Sequence, residues 1–384
     1  MKKFRLLTPG PTAVPEKVYA KFAEPIVHHR TSLFESQFKQ LREQLQWLFQ
    51  TRQPVLVLSA SGTGSMDAAV SNLFSPNDEV VVVNGGKFAE RWVKIAKAYQ
   101  LKVTEIKVER GQAVTPQAVE EALIQNKNIK GVLFQASETS TGAMMPVKQI
   151  VDLCKKHSVL SVCDGISAVG IFDLPMDAWG IDALITGSQK AIMLPPGLAF
   201  LAFSERAWKA AEQSKISKFY FDLLNERAWQ EKLQCAWTPP ISLIQGAVVA
   251  MTMLQEQGLH EGFNLYARLG AATRAAVRAI GLEFFSPTQS PVLTTVKVPS
   301  TFSIDQGKAI SKIMQDKYGV IIAGGQDELN GKILRLSHFG YVDIFDVVSG
   351  ISALEFALVE LGYPLEFGVG VGAALKTYYE GTPS

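Results

Sequence analysis

The chain has 384 residues, of which 47% are hydrophobic and 19% charged, and its net charge is +2. That length and apolar content suit roughly two to three domains, or one large α/β unit with an appendage, and the balanced charge leaves no electrostatic footprint for a nucleic-acid partner. Three scattered cysteines (Cys154, Cys163, Cys235) without a C-x-x-C pair, and five histidines with only His28 and His29 adjacent, argue against a disulfide framework or a metal site.

In chain order, residues 1–20 read as an extended arm, because Thr8-Pro9-Gly10-Pro11-Thr12 and Pro15 fix φ angles and remove donors. The only basic residues at the start are Lys2, Lys3 and Arg5, and no apolar signal-peptide core follows them. Phe34, Phe38, Leu41, Leu45 and Leu48 recur at helical spacing and predict an amphipathic helix ending near Gln50. Pro54 then opens a strand at Val55-Leu56-Val57-Leu58. A regular alternation follows, with strands expected at 79–83, 102–108, 130–136, 159–163, 182–186 and 198–203. Helices are expected at 64–74, 88–100, 116–126 and 146–157, with Pro116 and Pro146 in first-turn positions. Continuous apolar strands alternating with helices imply a mostly parallel seven-stranded sheet covered on both faces.

The apolar run 191–203 is too short to cross a membrane and contains Pro195-Pro196. Residues 204–240 turn helical and aromatic-rich, and a long helix spans 242–258. Helix 260–280 carries Arg268, Arg274 and Arg278 on what reads as a solvated face. Two period-two segments, from Leu293 and from Lys332, predict antiparallel strands, with helices at 304–317 and 342–361. The expected organisation is therefore an arm (1–20), a large domain (21–258) and a smaller α+β domain (259–384). The C-terminal Gly381-Thr382-Pro383-Ser384 is no sorting signal, so the expected location is cytoplasmic, with no membrane partner.

Ligands in parallel sheets bind beyond the carboxyl ends of the strands, so the strand-to-helix loops matter most. Ser59-Ala60-Ser61-Gly62-Thr63-Gly64-Ser65 offers helix-start amides and hydroxyls, which suit either an anion cradle or a simple capped turn. It lacks the Gly-Lys-Ser/Thr of a P-loop, and Asp67 replaces the third glycine of a dinucleotide fingerprint. Asn84-Gly85-Gly86-Lys87-Phe88 ends in an aromatic that either joins the core or stacks on a planar ring. Glu138-Thr139-Ser140-Thr141-Gly142 is rich in hydroxyls. Asp164 ends an apolar strand and must face a cation or donor. Gly187-Ser188-Gln189-Lys190 delivers a lysine among apolar neighbours, where it snorkels to water or serves as a nucleophilic amine. Together these groups form the set that pyridoxal 5'-phosphate needs: a phosphate site, a stacking face, a carboxylate and an amine.

The segments Ser-Gly-Thr-Gly (61–64), Glu-Thr-Ser-Thr-Gly (138–142), Val-Cys-Asp-Gly-Ile-Ser (162–167) and Gly-Ser-Gln-Lys-Ala (187–191) resemble, in order and spacing, the class V aminotransferases. The nearest resemblance is to the alanine–glyoxylate and serine–glyoxylate (serine–pyruvate) branch, and it runs from Thr8-Pro9-Gly10-Pro11 to Arg335. It implies a fold type I pyridoxal-phosphate enzyme working as a homodimer on small amino acids and 2-oxo acids. By that likeness Lys190 would hold the cofactor as a Schiff base, Asp164 would pair with its ring nitrogen, and Phe88 and Ile166 would flank the ring. Thr139 would hold the ring hydroxyl. Thr63, Gly64 and Gln189 would bind phosphate, with Ser65 a further cofactor contact and Thr238 adding a phosphate contact from the neighbouring subunit. Arg335 would take the substrate carboxylate, and Gly10 would line the substrate site.

The chain has Ser65 where some members carry histidine, Phe88 where many carry tryptophan, and Gln234-Cys235-Ala236 where some place a tyrosine. A cysteine desulfurase would need a mobile-loop cysteine that 286–331 lacks. Phosphoserine or aminoethylphosphonate transaminases are related alternatives. A soluble hydrogenase small subunit is a redox alternative, for which three separated cysteines are a poor ligand set.

Overall fold

The computed structural model describes residues 3–381; Met1, Lys2 and residues 382–384, with the readings made of the basic start and the C-terminal tail, lie outside the described residues. Seven strands build the main sheet: Val55–Leu58 (β1), Glu79–Asn84 (β2), Lys102–Lys107 (β3), Ile129–Gln135 (β4), Leu160–Asp164 (β5), Ala183–Gly187 (β6) and Ala199–Phe203 (β7). Their order is β1-β7-β6-β5-β4-β2-β3. Only β7 runs against its neighbours.

Alternation along each strand splits the core into two layers. Val55 and Val57 of β1 pack into one layer, while Leu56 and Leu58 pack into the other. Helices Ser32–Phe49 (α1), Pro116–Gln125 (α4) and Val147–Lys156 (α5) cover the first layer; Gly62–Leu73 (α2) and Ala89–Ala98 (α3) cover the second. In α1 the helical stripe Phe34, Phe38, Leu41, Leu45 and Leu48 is buried as its spacing predicts. Each such side chain contributes about 1.5–3 kcal/mol of burial. Thr31 caps its start by accepting from the Phe34 amide at 3.3 Å.

Helix Ile241–Gln257 (α6) leads into Leu259–Ile280 (α7). A second sheet then forms from Leu293–Lys297 (β8), Ala323–Gly324 (β9) and Ile333–Ser337 (β10), ordered β8-β10-β9 and antiparallel. Helices Ile304–Tyr318 (α8), Ile344–Glu360 (α9) and Val369–Glu380 (α10) complete this part.

Three local readings are corrected. Within the expected extended arm, Arg5–Leu6 pairs in parallel with Val320–Ile321, and Glu16–Phe22 is helical, because Pro15 stands at its N-cap and starts the helix. Helix α10, masked in the sequence by Gly368, Gly370 and Gly372, packs along α7. Arg268 is consequently not on a solvated face: it donates to the Tyr378 carbonyl at 2.9 Å and lies 4.3 Å from the Tyr378 ring centroid. Arg274 is half-buried as well, and burial holds its guanidinium below the ordinary arginine pKa. Among the described residues no helix is long and apolar enough to cross a membrane.

Candidate active site

Six strands of the main sheet point one way, so the loops after β1, β2, β4, β5 and β6 open on one edge. Lys190 follows β6 and is buried, with its Nζ donating to the Pro9 carbonyl. Gly10 makes this approach possible. Its φ is +119°, and a Cβ there would collide with the Lys190 amine. Thr12 anchors the same turn, donating its amide to the Gln189 carbonyl at 3.1 Å and its hydroxyl to the Lys190 carbonyl at 3.0 Å.

Burial drives the Lys190 amine down to about 8. Asp164 pulls the other way, and the cations Arg335 and Arg91 add to the lowering. Asp164, in register with Gln135 at the end of β5, is pushed up to about 6, chiefly by burial. The Ile166 amide, donating to its Oδ1 at 2.8 Å, opposes that rise, while Glu138 adds to it. Lysine and carboxylate therefore sense each other without forming an ion pair.

Arg335 reaches this edge from the middle strand of the second sheet. Its Nε donates to the Gly324 carbonyl at 2.8 Å and its Nη1 to the Thr139 carbonyl at 2.9 Å. Among the described residues no carboxylate pairs with it, and burial lowers its pKa to about 10. A guanidinium held by two carbonyls keeps its charge for an incoming anion.

At the start of α2, Gly64 packs so closely that a Cβ would fall 2.6 Å from that of Ala60; at Gly62 it would fall 2.5 Å from Ile166 Cδ1. The amides of Gly62 and Thr63 make no hydrogen bond among the described residues, whereas that of Gly64 donates to the Ser61 carbonyl at 2.8 Å. Thr63 is half-buried beside them. Ser65 departs from expectation: it is fully buried and its hydroxyl donates to the Gly62 carbonyl at 2.7 Å. First-turn serines readily bond back to the helix, and this one is spent there. The Gln189 side-chain amide has no partner among the described residues. Phe88 and Ile166 are half-buried, and Thr139 is buried. Thr238 is exposed between Trp237 and Pro239, apart from any side-chain hydrogen bond among the described residues.

Two contributors escaped the reading of the sequence. Glu138, fully buried, accepts from the amides of Ala89 at 3.0 Å and Ser140 at 3.1 Å and from the Ser140 hydroxyl at 2.5 Å. It ties the loop after β4 to the start of α3, and burial raises its pKa. Arg91 sits one turn beyond Phe88, donates to Thr63 Oγ1 at 2.8 Å and lies 5.2 Å from the Phe88 ring centroid. The i,i+3 spacing of Phe88 and Arg91 was the available signal.

Residues 9–334 match the family model for Aminotransferase class-V. The chain belongs to the class V aminotransferases. This class V aminotransferase is 37% identical to a protein of Anabaena cylindrica named soluble hydrogenase 42 kDa subunit, over 98% of this chain and 99% of that one. It is 31% identical to the L-aspartate–glyoxylate aminotransferase of Paracoccus denitrificans (strain Pd 1222), over 98% of this chain and 96% of the relative. The crystal structure of the ureidoglycine–glyoxylate aminotransferase of Bacillus subtilis superposes with a TM-score of 0.92 at 26% identity, covering 99% of both chains. The fold is accordingly that of fold type I pyridoxal-phosphate enzymes, and the protein is a pyridoxal-phosphate-dependent transaminase. Among the described residues no group of three His, Cys, Asp or Glu side chains is placed to hold a metal, and the three cysteines are buried and free.

Proposed function

We propose that this transaminase moves the amino group of a small amino acid, alanine or serine, to glyoxylate or another small 2-oxo acid. The observation that carries the proposal is a buried lysine amine near pKa 8 in a site whose Arg335 has no carboxylate partner. Glyoxylate is the acceptor named for both the Paracoccus relative and the Bacillus neighbour, which supports the acceptor half.

The residues present fit pyridoxal 5'-phosphate. Gln189 makes no side-chain hydrogen bond and the Gly62 and Thr63 amides have no acceptor among the described residues, and Asp164 stands at a strand end where a protonated ring nitrogen would meet it. On this reading Thr63, Gly64 and Gln189 hold the phosphate, Phe88 and Ile166 flank the ring, Thr139 meets its hydroxyl, and Lys190 is the covalent anchor. The bound cofactor supplies an electron sink that makes the substrate's α-C–H bond acidic. Arg335 binds the substrate carboxylate through its planar fork, and Gly10 leaves room for the substrate beside the lysine. Lys190 Nζ takes the proton from the α-carbon and later returns it; an amine near pKa 8 is suited to both directions. Asp164 supplies the negative charge that keeps a ring nitrogen protonated.

The site lies between the 21–258 and 259–384 units. Exposed Thr238 is offered to a second copy in a homodimer, and free buried cysteines suit a cytoplasmic setting. The test is a grid of amino donors (alanine, serine, aspartate, phosphoserine, aminoethylphosphonate) against glyoxylate, pyruvate and 2-oxoglutarate. Alanine or serine with glyoxylate should give the highest kcat/KM, and a preference for aspartate or a phosphorylated donor would overturn the small-donor reading. Lys190→Ala should abolish both the visible chromophore and turnover; wild-type turnover in that variant would sink the lysine assignment.

A further inference from the structure

Arg91 is half-buried, and among the described residues it pairs with no carboxylate. Half-buried Arg110, by contrast, meets Glu90 at 2.5 Å. The Arg91 Nη1 instead donates to Thr63 Oγ1 at 2.8 Å, and its guanidinium lies over Phe88. A hydroxyl that accepts from a cation has its own proton free to donate. Thr63 lies in the first turn of α2, where the amides of Gly62 and Thr63, without an acceptor among the described residues, and the helix dipole favour an anion.

We infer that Arg91 is a positioning residue of the phosphate cradle: it fixes the Thr63 hydroxyl so that its O–H is donated to a phosphate monoester, and its charge offsets that dianion. Two features of the molecule agree. Glu138 secures the start of α3 and thereby the place of Arg91, and Arg91 acts as a cation on both Lys190 and Asp164. The inference rests on the pyridoxal-phosphate reading and sharpens it.

The test titrates cofactor-free protein with pyridoxal 5'-phosphate and, separately, with pyridoxal, which has the same aldehyde and ring but no phosphate. Dissociation constants are read from the visible chromophore. Arg91→Gln should weaken pyridoxal phosphate by about tenfold or more, the scale of a lost charge-assisted hydrogen bond, while leaving pyridoxal within about twofold of wild type. Arg91→Lys should restore part of the loss. Thr63→Val should reproduce the selective loss, and adding Arg91→Gln to it should cost less than the single substitution does. Equal weakening of both aldehydes would mean that Arg91 acts through Phe88 or the fold, and would overturn the inference; so would unchanged binding of pyridoxal phosphate. Wild-type protein that forms no chromophore with either aldehyde would overturn the cofactor reading itself, and this inference with it.

Discussion

Lys190 keeps its amine against a backbone carbonyl and away from any ion pair, and its reactivity follows from that setting. Burial lowers its pKa from 10.5 to about 8, more than the opposing pull of Asp164 raises it. The neutral, nucleophilic amine therefore gains population as pH rises through about 8, and the ammonium dominates below. In cofactor-free protein the rate of chromophore formation with pyridoxal phosphate should climb with pH and level off above that midpoint. A midpoint near 10.5 would show that the lysine is solvated. The raised Asp164, at about 6, is ionised over the same range, so it does not contribute a second inflection there.

The N-terminal arm acts as an element that straps the two sheets to the lysine. Leu7 donates to the Ile321 carbonyl at 2.8 Å and accepts from the Ser337 amide at 2.9 Å, and Thr12 packs on Gly340 while holding the 189–190 turn. Removing the Thr12 hydroxyl while keeping its shape isolates one strand of that strap. Thr12→Val should lower kcat by about fivefold, consistent with a neutral hydrogen bond of about 1 kcal/mol, and shift the pH midpoint of Lys190. Steady-state kinetics and the chromophore titration measure both. A lower melting temperature with unchanged kcat and midpoint would reduce Thr12 to a stabilising contact.

At the scale of the molecule, charged pairs join the loop after β2 to the segment before β10. Lys87 meets Asp327 at 2.5 Å, and Arg110 bridges Glu90 at 2.5 Å and Glu328 at 2.9 Å. The Asp327 and Glu328 carboxylates are exposed, so salt screens their pairs and these add little to stability. Their effect should appear in substrate binding, since Arg335 crosses the same junction to Thr139. The KM for the amino donor should rise with salt in wild type. Asp327→Asn combined with Glu328→Gln should begin at a higher KM and respond less to salt, with the melting temperature nearly unchanged. A KM indifferent to both salt and substitution would show that the junction is rigid without these pairs.

Strand periodicity, proline positions and strand-end loops were enough to expect the seven-stranded sheet and to single out the Gly62, Phe88, Glu138, Asp164 and Lys190 loops. Those features are local: period, cap and turn chemistry act over a few residues. The directions of the side chains at the site were decided elsewhere. Ser65 could face an anion or its own helix, and packing sent it to the Gly62 carbonyl. Thr12 and Lys190 are 178 positions apart, and Thr139 and Arg335 are 196 apart. Their meeting depends on how the arm and the second sheet dock onto the first. Arg91 gains its place only where α2 and α3 lie side by side and give it a threonine hydroxyl in place of an acid. The sequence by itself determined which chemical groups stand at the sheet edge. Only the tertiary structure decided which of them face one another, because burial and long-range packing, rather than local pattern, set those distances and charges.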